Sequence, residues 1–317
     1  MQEIIEGDCL EEMKKYPDNH FSCIVTDPPY GISFMGIDWD HEVPDKSFWE
    51  ECYRIAKPGA FLVAMGGTRK FHRLTCAIED SGFEIRDCIS WLYGTGFPKS
   101  HNYLGLKGYG TALKPAWEPC IVAMKPCEGT FAQNAEKWGQ AGLNIGESTI
   151  GSELLLSRIR GVAKIGTFKN SEGGSTSARK GRWPANVIMD EEAAALLDEQ
   201  HPIASRFFYC AKASASERNF GLSALQSKAT HRLNPGIGGG KDPKAPTFDK
   251  NYHPTIKPLK LMKYLIKLVM PPENGLLLDP FAGSGTTILA AKHLGFSGIG
   301  IEKDASYCEI ARARLAA

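Results

Sequence analysis

An α/β fold with a sheet built from two separated stretches of chain is what this sequence predicts. Short apolar runs alternate with amphipathic segments over the first third, the rhythm stops from about 128 to 250, and it resumes from 259 onward. Strands that alternate with helices imply a parallel sheet covered on both faces.

In the first third, Ile4-Ile5-Glu6, Cys23-Ile24-Val25-Thr26 and Phe61-Leu62-Val63-Ala64-Met65 read as buried strands. Phe48 to Ile55 and Arg69 to Glu79 read as helices, and Ile85 to Tyr93 and Glu118 to Met124 as further strands. The middle segment is rich in Gly and Ser and holds Gly173-Gly174-Ser175 and Gly238-Gly239-Gly240. A plain loop of that length is implausible in a compact domain, so it reads as an inserted module. Its structured islands are a helix over Glu191 to Glu199 and a short strand at Arg206-Phe207-Phe208-Tyr209, with Trp183, Phe207, Phe208 and Tyr209 read as a small core and base stacking as the alternative. After it come a helix (Leu259 to Met270), a strand (Leu276 to Leu278), a helix (Thr286 to Leu294), a strand (Gly298 to Ile301) and a last helix (Ala305 to Leu315). The predicted division is 1–126, 127–250 and 251–317, the outer two being halves of one domain.

At 317 residues and 43% hydrophobic, the chain can bury a large core. A net charge of +1 means that attraction to a polyanion has to come from local clustering. Nine cysteines, odd in number and with no close CxxC pair, suit reduced buried thiols in a cytoplasmic protein; neither a disulfide frame nor a metal site is expected. Met1 to Glu6 is acidic and carries no secretory signal, and lysines interrupt the most apolar late helix, so no membrane span is expected.

The run Leu276-Leu277-Leu278-Asp279-Pro280-Phe281-Ala282-Gly283-Ser284-Gly285-Thr286-Thr287 reads as strand, glycine turn and helix start. Gly283 and Gly285 permit tight dihedrals and close approach of a ligand to free helix N–H groups. Glu302 follows Asp279 by 23 residues, a spacing that suits a carboxylate accepting hydrogen bonds from ribose hydroxyls. Thr286 stands where a phosphate-binding loop has Lys, and Ile288 breaks the dinucleotide fingerprint. The ligand is then a nucleoside without phosphates, a description that S-adenosyl-L-methionine meets. His253-Pro254-Thr255-Ile256-Lys257-Pro258 opens the preceding helix, where Thr255 and Lys257 are candidates for holding the carboxylate of a methionine moiety. A proline-rich cap with a solvated lysine is the competing reading of that motif.

Asp27-Pro28-Pro29-Tyr30 follows a buried strand, at the end where open α/β sheets bind ligands. An exocyclic base amine is a poor nucleophile because its lone pair is delocalised into the ring. Hydrogen bonds from its two hydrogens to the Asp27 carboxylate and the Pro28 carbonyl would favour a pyramidal nitrogen that can attack, and proline holds that carbonyl in place. Tyr30 offers a flat face for the base, where stacking contributes about 1–3 kcal/mol. Taken alone, the tetrapeptide also reads as a rigid turn capping a strand. Asp8, after the first strand, is either a contact near the ligands or a helix N-cap.

Together these motifs resemble the amino-group DNA methyltransferases, the N6-adenine and N4-cytosine enzymes, in the circularly permuted β class. In that arrangement the (D/S)PP(Y/F) motif leads, a target-recognition region sits in the middle, and the HPTxKP and FxGxG motifs come last. Asp27 to Tyr30, His253 to Pro258 and Phe281 to Gly285 match in that order. The resemblance covers 1 to 126 and 251 to 317 and implies a Rossmann-like, S-adenosylmethionine-dependent sheet with an inserted target-recognition region. It implies Asp27, Pro28, Pro29 and Tyr30 as the catalytic motif. Asp279, Phe281, Gly283, Gly285, Glu302, His253, Thr255 and Lys257 would bind the donor, with Phe281 packing by it and Glu302 on its ribose. Asp at the first position favours adenine over cytosine, and the partner is double-stranded DNA with its target base flipped out.

A homodimer and a cognate restriction enzyme are compatible with this reading. Cytosine-N4 methylation is the rival on the same scaffold; protein or RNA methylation and a DNA module that has lost catalysis are more distant. From Arg158 to Arg182 the middle segment has seven basic residues against Glu172 alone. Arg158, Arg160, Arg179, Lys180 and Arg182 are thus candidate phosphate contacts, with a solvated loop as the alternative. Lys99, within Gly96 to Asn102, is a further candidate near the base pocket.

Overall fold

In the computed structural model, residues 1–33, 40–94, 109–158, 176–211, 219–222, 228–230, 247–253, 256–273 and 275–317 are described. The first third follows the predicted alternation: β1 (Gln2–Glu6), α1 (Cys9–Met13), β2 (Phe21–Thr26), α2 (Lys46–Ile55), β3 (Ala56–Met65), α3 (Phe71–Asp80), β4 (Glu84–Leu92) and β5 (Trp117–Met124). The middle holds α4 (Phe131–Trp138), β6 (Ile150–Arg158), β7 (Thr176–Arg182), β8 (Val187–Asp190), α5 (Glu191–Gln200), β9 (Tyr209–Ala211), β10 (Lys228–Thr230) and β11 (Thr247–Asp249). The chain closes with α6 (Leu259–Val269), β12 (Leu276–Asp279), α7 (Thr286–His293), β13 (Ser297–Glu302) and α8 (Ala305–Ala316).

Nine of the strands form one sheet in the order β1-β13-β12-β2-β3-β5-β4-β8-β9. The two ends of the chain therefore supply neighbouring strands, with Leu277 and Leu278 of β12 in parallel register with Cys23 and Ile24 of β2. Alternation along the strands sorts side chains into two layers. Cys23, Val25, Val63 and Leu277 pack with α6, α7 and α8, while Ile24, Leu62, Ala64 and Leu278 pack with α1, α2 and α3. Leu261, Leu265, Ile266 and Leu268 of α6 are buried, and burying each such side chain is worth about 1.5–3 kcal/mol.

β2 leads through α2 to β3 on one side, and β12 leads through α7 to β13 on the other. Between β2 and β12 lies the point where the winding reverses, and open α/β sheets bind ligands beyond the carboxyl ends of the strands at such a point.

Three features differ from the sequence expectation. The sheet is mixed, because β5 runs antiparallel to both β3 and β4. The chain turns back after Leu92, so the first residues of β5, Trp117 and Glu118, lie at the carboxyl edge of the parallel strands. The middle segment is also not wholly separate, since β8 and β9 extend the central sheet in parallel beyond β4. At 206–209 the expected strand is a 3₁₀ turn over Ala204–Phe207, and β9 starts only at Tyr209.

The expected small aromatic core of the middle segment is not formed by the side chains that suggested it. Trp183 and Phe207 are exposed, the latter lying beneath the guanidinium groups of Arg182 and Arg206. Tyr209 stacks on Tyr264 of α6 at 4.0 Å, so it joins the main core. Among the described residues, no helix is long and apolar enough to cross a membrane.

Candidate active site

One cleft of about 1770 Å³ runs along the carboxyl edge of the sheet, and it is lined by both motifs, with Asp27, Pro28, Pro29 and Tyr30 following β2, Asp279, Phe281 and Gly283 at and after the end of β12, and Glu302 from β13. That volume exceeds the roughly 300–1,000 Å³ of a site for one small ligand, leaving room for two. The motifs are tied together where their strands end. Thr26 Oγ1, buried at the tip of β2, donates to Asp279 Oδ1 of β12 at 2.8 Å.

Burial pushes the Asp279 carboxyl up to about 6, against the opposing hydrogen bonds of Thr287, Thr26 and the Phe281 amide. From β13, Glu302 reaches back to the glycine turn, accepting from the Gly283 amide at 2.8 Å and, with its other oxygen, from the Asp304 amide at 2.8 Å. Each carboxylate oxygen keeps a further lone pair. Burial raises this carboxyl from its ordinary value, partly offset by those amides. The ring of Phe281 packs against Phe48 of α2, with centroids 5.0 Å apart.

The two glycines of the turn do different jobs. At Gly283 (φ +51°) a Cβ would stand 2.8 Å from His253 Nε2, so His253 lies directly over the turn, its ring edge-on to Tyr307. Gly285 (φ +75°) would instead drive a Cβ to 2.8 Å from Ala311 Cβ of α8. Its absent side chain serves helix packing and the left-handed entry to α7, and it is not among the residues lining the cleft. Expected as a ligand contact, Gly285 is thus a packing residue. Behind the turn, buried Arg314 of α8 donates to the Ser284 carbonyl at 2.6 Å and to Thr286 Oγ1 at 2.9 Å.

The Asp27 to Tyr30 stretch is held by charges. Asp40 Oδ1 accepts from the amides of Tyr30 (2.7 Å) and Gly31 (2.9 Å), fixing the chain as it leaves the tetrapeptide. Lys257 Nζ lies 3.0 Å from Asp27 Oδ2 and 3.1 Å from Glu118 Oε2, and donates to Tyr30 Oη at 2.9 Å. Tyr30 Oη in turn donates to Glu118 Oε2 at 2.9 Å. Burial alone would depress the Lys257 ammonium, but Asp27 and Glu118 hold it charged, above its usual range. Burial raises the Asp27 carboxyl, with Lys257 opposing, and raises the Tyr30 hydroxyl, keeping it a donor. Asp27 Oδ1 is buried and has no hydrogen-bond partner among the described residues.

Lys257 is therefore placed otherwise than expected. An ammonium has three hydrogens, and Asp27, Glu118 and Tyr30 offer three acceptors. None is left for a donor carboxylate, and the residue sits instead with Asp27 and Tyr30. Asp8 is the N-cap of α1, accepting from Leu10 and Glu11, and it also lines the cleft. Of the expected DNA contacts, Lys180 is exposed on β7, whereas Arg182 is paired with Glu153 at 2.5 Å. Arg158 and Arg179 belong to the β6–β7 hairpin, with Arg158 opposite Thr176 and Arg179 opposite Leu155. Lys99, Arg160 and Thr255 lie outside the described residues.

Glu118, Asp40 and Arg314 were not anticipated as site residues. A carboxylate in the second position of an otherwise apolar strand, as in Trp117-Glu118-Pro119-Cys120, is the one sequence signal that pointed to the first of them.

The N6/N4 DNA methylase family model matches residues 21–313. The chain belongs to this family. It is thus a DNA methyltransferase, and its methyl donor is S-adenosylmethionine. The Type II methyltransferase M.HindIII of Haemophilus influenzae is 27% identical over 355 residues, spanning 98% of this chain and 94% of that protein. M.HpaI of Haemophilus parainfluenzae, also a Type II methyltransferase, is 24% identical over 99% of this chain and 74% of its own length. Among solved structures, the PvuII DNA methyltransferase (cytosine-N4-specific) matches with a TM-score of 0.56 at 16% identity, covering 99% of this chain and 86% of that one. M1.HpyAVI matches with a TM-score of 0.50 at 18% identity over the whole of both chains. These two likenesses show the α/β methyltransferase fold and nothing finer.

Proposed function

We propose that this methyltransferase acts on the N6 amine of adenine within a specific DNA sequence. The observation that carries the reading is the unpartnered, buried Asp27 Oδ1 in the cleft that also holds the glycine turn. An acceptor oxygen kept from water beside an empty space suits a donor with hydrogens to give, and an exocyclic amine is one. Asp in the first position, which in this family favours adenine, supports N6 over N4.

S-adenosylmethionine fits the other end of the cleft. The glycine turn lacks the lysine that a phosphate would call for, and Glu302 offers spare acceptor sites in the cleft that the Phe281 ring also lines. Phe281 would pack on the adenosyl group, Glu302 would accept from its ribose, and His253 and the Gly283 amide would border its amino-acid moiety. The donor supplies a methyl group on a positively charged sulfur. Asp27 and the Pro28 carbonyl hold the amine hydrogens so that the nitrogen lone pair points at that carbon. As the nitrogen–carbon bond forms, the carbon–sulfur electrons stay with sulfur, and the surplus amine proton passes to Asp27 Oδ1. Tyr30 supports the base. Transfer of this kind depends on positioning and electrostatics.

Asp279 braces β2 against β12 and orders the turn, so we assign it a positioning role. Residues 127–250 are proposed to carry target recognition, with the β6–β7 hairpin and Lys180 facing phosphates and the target base taken out of the stack. The Type II relatives suggest a cognate restriction enzyme, and nine free cysteines suit a reducing cytoplasm. Methyl-labelled donor and duplex DNA, followed by nucleoside analysis, test the assignment. Label in N6-methyladenine is expected; label confined to N4-methylcytosine would overturn the adenine reading.

A further inference from the structure

Asp27 faces a conflict that its own motif does not resolve. To hold an amine it needs a free, negatively charged oxygen, yet a buried lysine 3.0 Å away neutralises it. A lysine devoted to one carboxylate forms a pair with no net charge, and a carboxylate so paired is a weaker acceptor for a second donor. Glu118 changes that balance. Its Oε2 lies 3.1 Å from Lys257 Nζ and accepts from Tyr30 Oη at 2.9 Å, so the ammonium is shared. Two carboxylates and one ammonium leave a net charge of −1, and Asp27 Oδ1 is an oxygen of the group that is buried with no hydrogen-bond partner among the described residues.

We propose that Glu118 is a positioning residue of methyl transfer: by sharing Lys257 with Asp27 it leaves Asp27 Oδ1 open to the target amine and gives the acceptor corner the net negative charge that the reacting nitrogen requires. This inference rests on the amine-methylation reading above. Positive charge builds on the amine as the new bond forms, and a fixed negative charge inside a desolvated cleft favours that state over the neutral amine that precedes it. Glu118 acts through Lys257 and Tyr30. The same hydrogen bonds set the rotation of the Tyr30 ring, which packs across Gly67, where a Cβ would come within 3.0 Å of Tyr30 Cδ2. The acceptor corner is thus assembled from three parts of the chain: the end of β2, the start of β5 and the lead-in to α6.

The test uses the full chain, duplex DNA containing the methylated sequence, and single-turnover transfer beside equilibrium binding of S-adenosylmethionine. Glu118→Gln is expected to slow transfer roughly ten- to hundredfold, with donor affinity and KM for DNA within about threefold of wild type. Glu118→Asp, which keeps the charge, is expected to stay within about threefold of the wild-type rate, and it decides the matter if Glu118→Gln does not fold. Adding Lys257→Met to Glu118→Gln restores the net charge of −1 and is expected to raise the rate several-fold above the single variant, a recovery that a purely structural role for Glu118 would not produce. Wild-type transfer by Glu118→Gln, a Glu118→Asp rate below about a tenth of wild type, or no gain in the double variant would each overturn the proposal. A wild-type chain that methylates no DNA amine would overturn this inference and the reading beneath it together.

Discussion

The two ends of the cleft are held by different physics. At the donor end, shape comes from close packing: Gly285 against Ala311, Gly283 under His253, and buried Arg314 bonded to the back of the turn. At the acceptor end it comes from charges, with Lys257 between Asp27 and Glu118, and Asp40 across the following amides. On the proposed reading, a turn that admits a bulky nucleoside gains from a rigid backbone, whereas a corner that stabilises charge appearing on a nitrogen gains from fixed ions. Damage at the donor end should therefore show as lost stability and donor binding. Damage at the acceptor end should show as lost rate with the fold intact.

The largest expected effect that tests this contrast is at Gly285. Gly285→Val places a side chain at φ +75° and against α8, so it should cost about 3 kcal/mol or more in urea denaturation and abolish donor binding. Near-native stability in that variant would remove packing as the basis of the donor end. A second, chemical effect concerns pH. The native state still holds a proton on Asp279 between pH 3.8 and about 6, where the unfolded chain has released it, so this group's contribution to stability falls as pH rises through that window. Relative to wild type, Asp279→Asn should thus gain on the order of 3 kcal/mol between pH 4 and pH 7, and a pH-independent difference would contradict the burial of that charge. Because burial also raises Asp27, transfer should fail on acidification at a pH above the ordinary aspartate value; an acid limb at or below that value would argue against a desolvated acceptor corner.

Smaller losses are expected further along the cleft. Glu302→Gln keeps the shape but replaces one acceptor oxygen with an amide nitrogen, and should weaken donor binding about tenfold while leaving the rate at saturating donor nearly unchanged. Lys180→Ala should lower DNA affinity by less than tenfold and reduce its salt dependence by about one unit of slope. A larger rate effect than affinity effect in either variant would blur the division between holding and reacting.

Much of this frame was legible in the residues. Alternating apolar runs located the principal strands and helices of both outer stretches, because buried strands and amphipathic helices carry distinct periods. The order of Asp27-Pro28-Pro29-Tyr30 and Phe281-Ala282-Gly283-Ser284-Gly285 placed both motifs at strand ends. Periodicity does not record strand direction, so the reversal of β5 was invisible, and with it the approach of Glu118 to Asp27. Lys257 was read by its neighbours in sequence, next to the donor motif, whereas its charge is satisfied by residues 227 or more positions away in number or supplied by β5. Gly285 carried the signal of a ligand turn, yet what it relieves is a helix contact that only the fold reveals. In the middle segment, the few residues of β8 and β9 were too short a pattern to announce that they join the main sheet.

The central claim is that one cleft separates donor holding from amine activation, and Asp27→Ala tests it most directly. S-adenosylmethionine affinity and single-turnover methylation of duplex DNA should be measured on the same preparation. Donor affinity within about threefold of wild type, with transfer reduced by roughly a thousandfold or more, is the predicted result. Methylation at the wild-type rate, or donor binding lost together with transfer, would contradict the account.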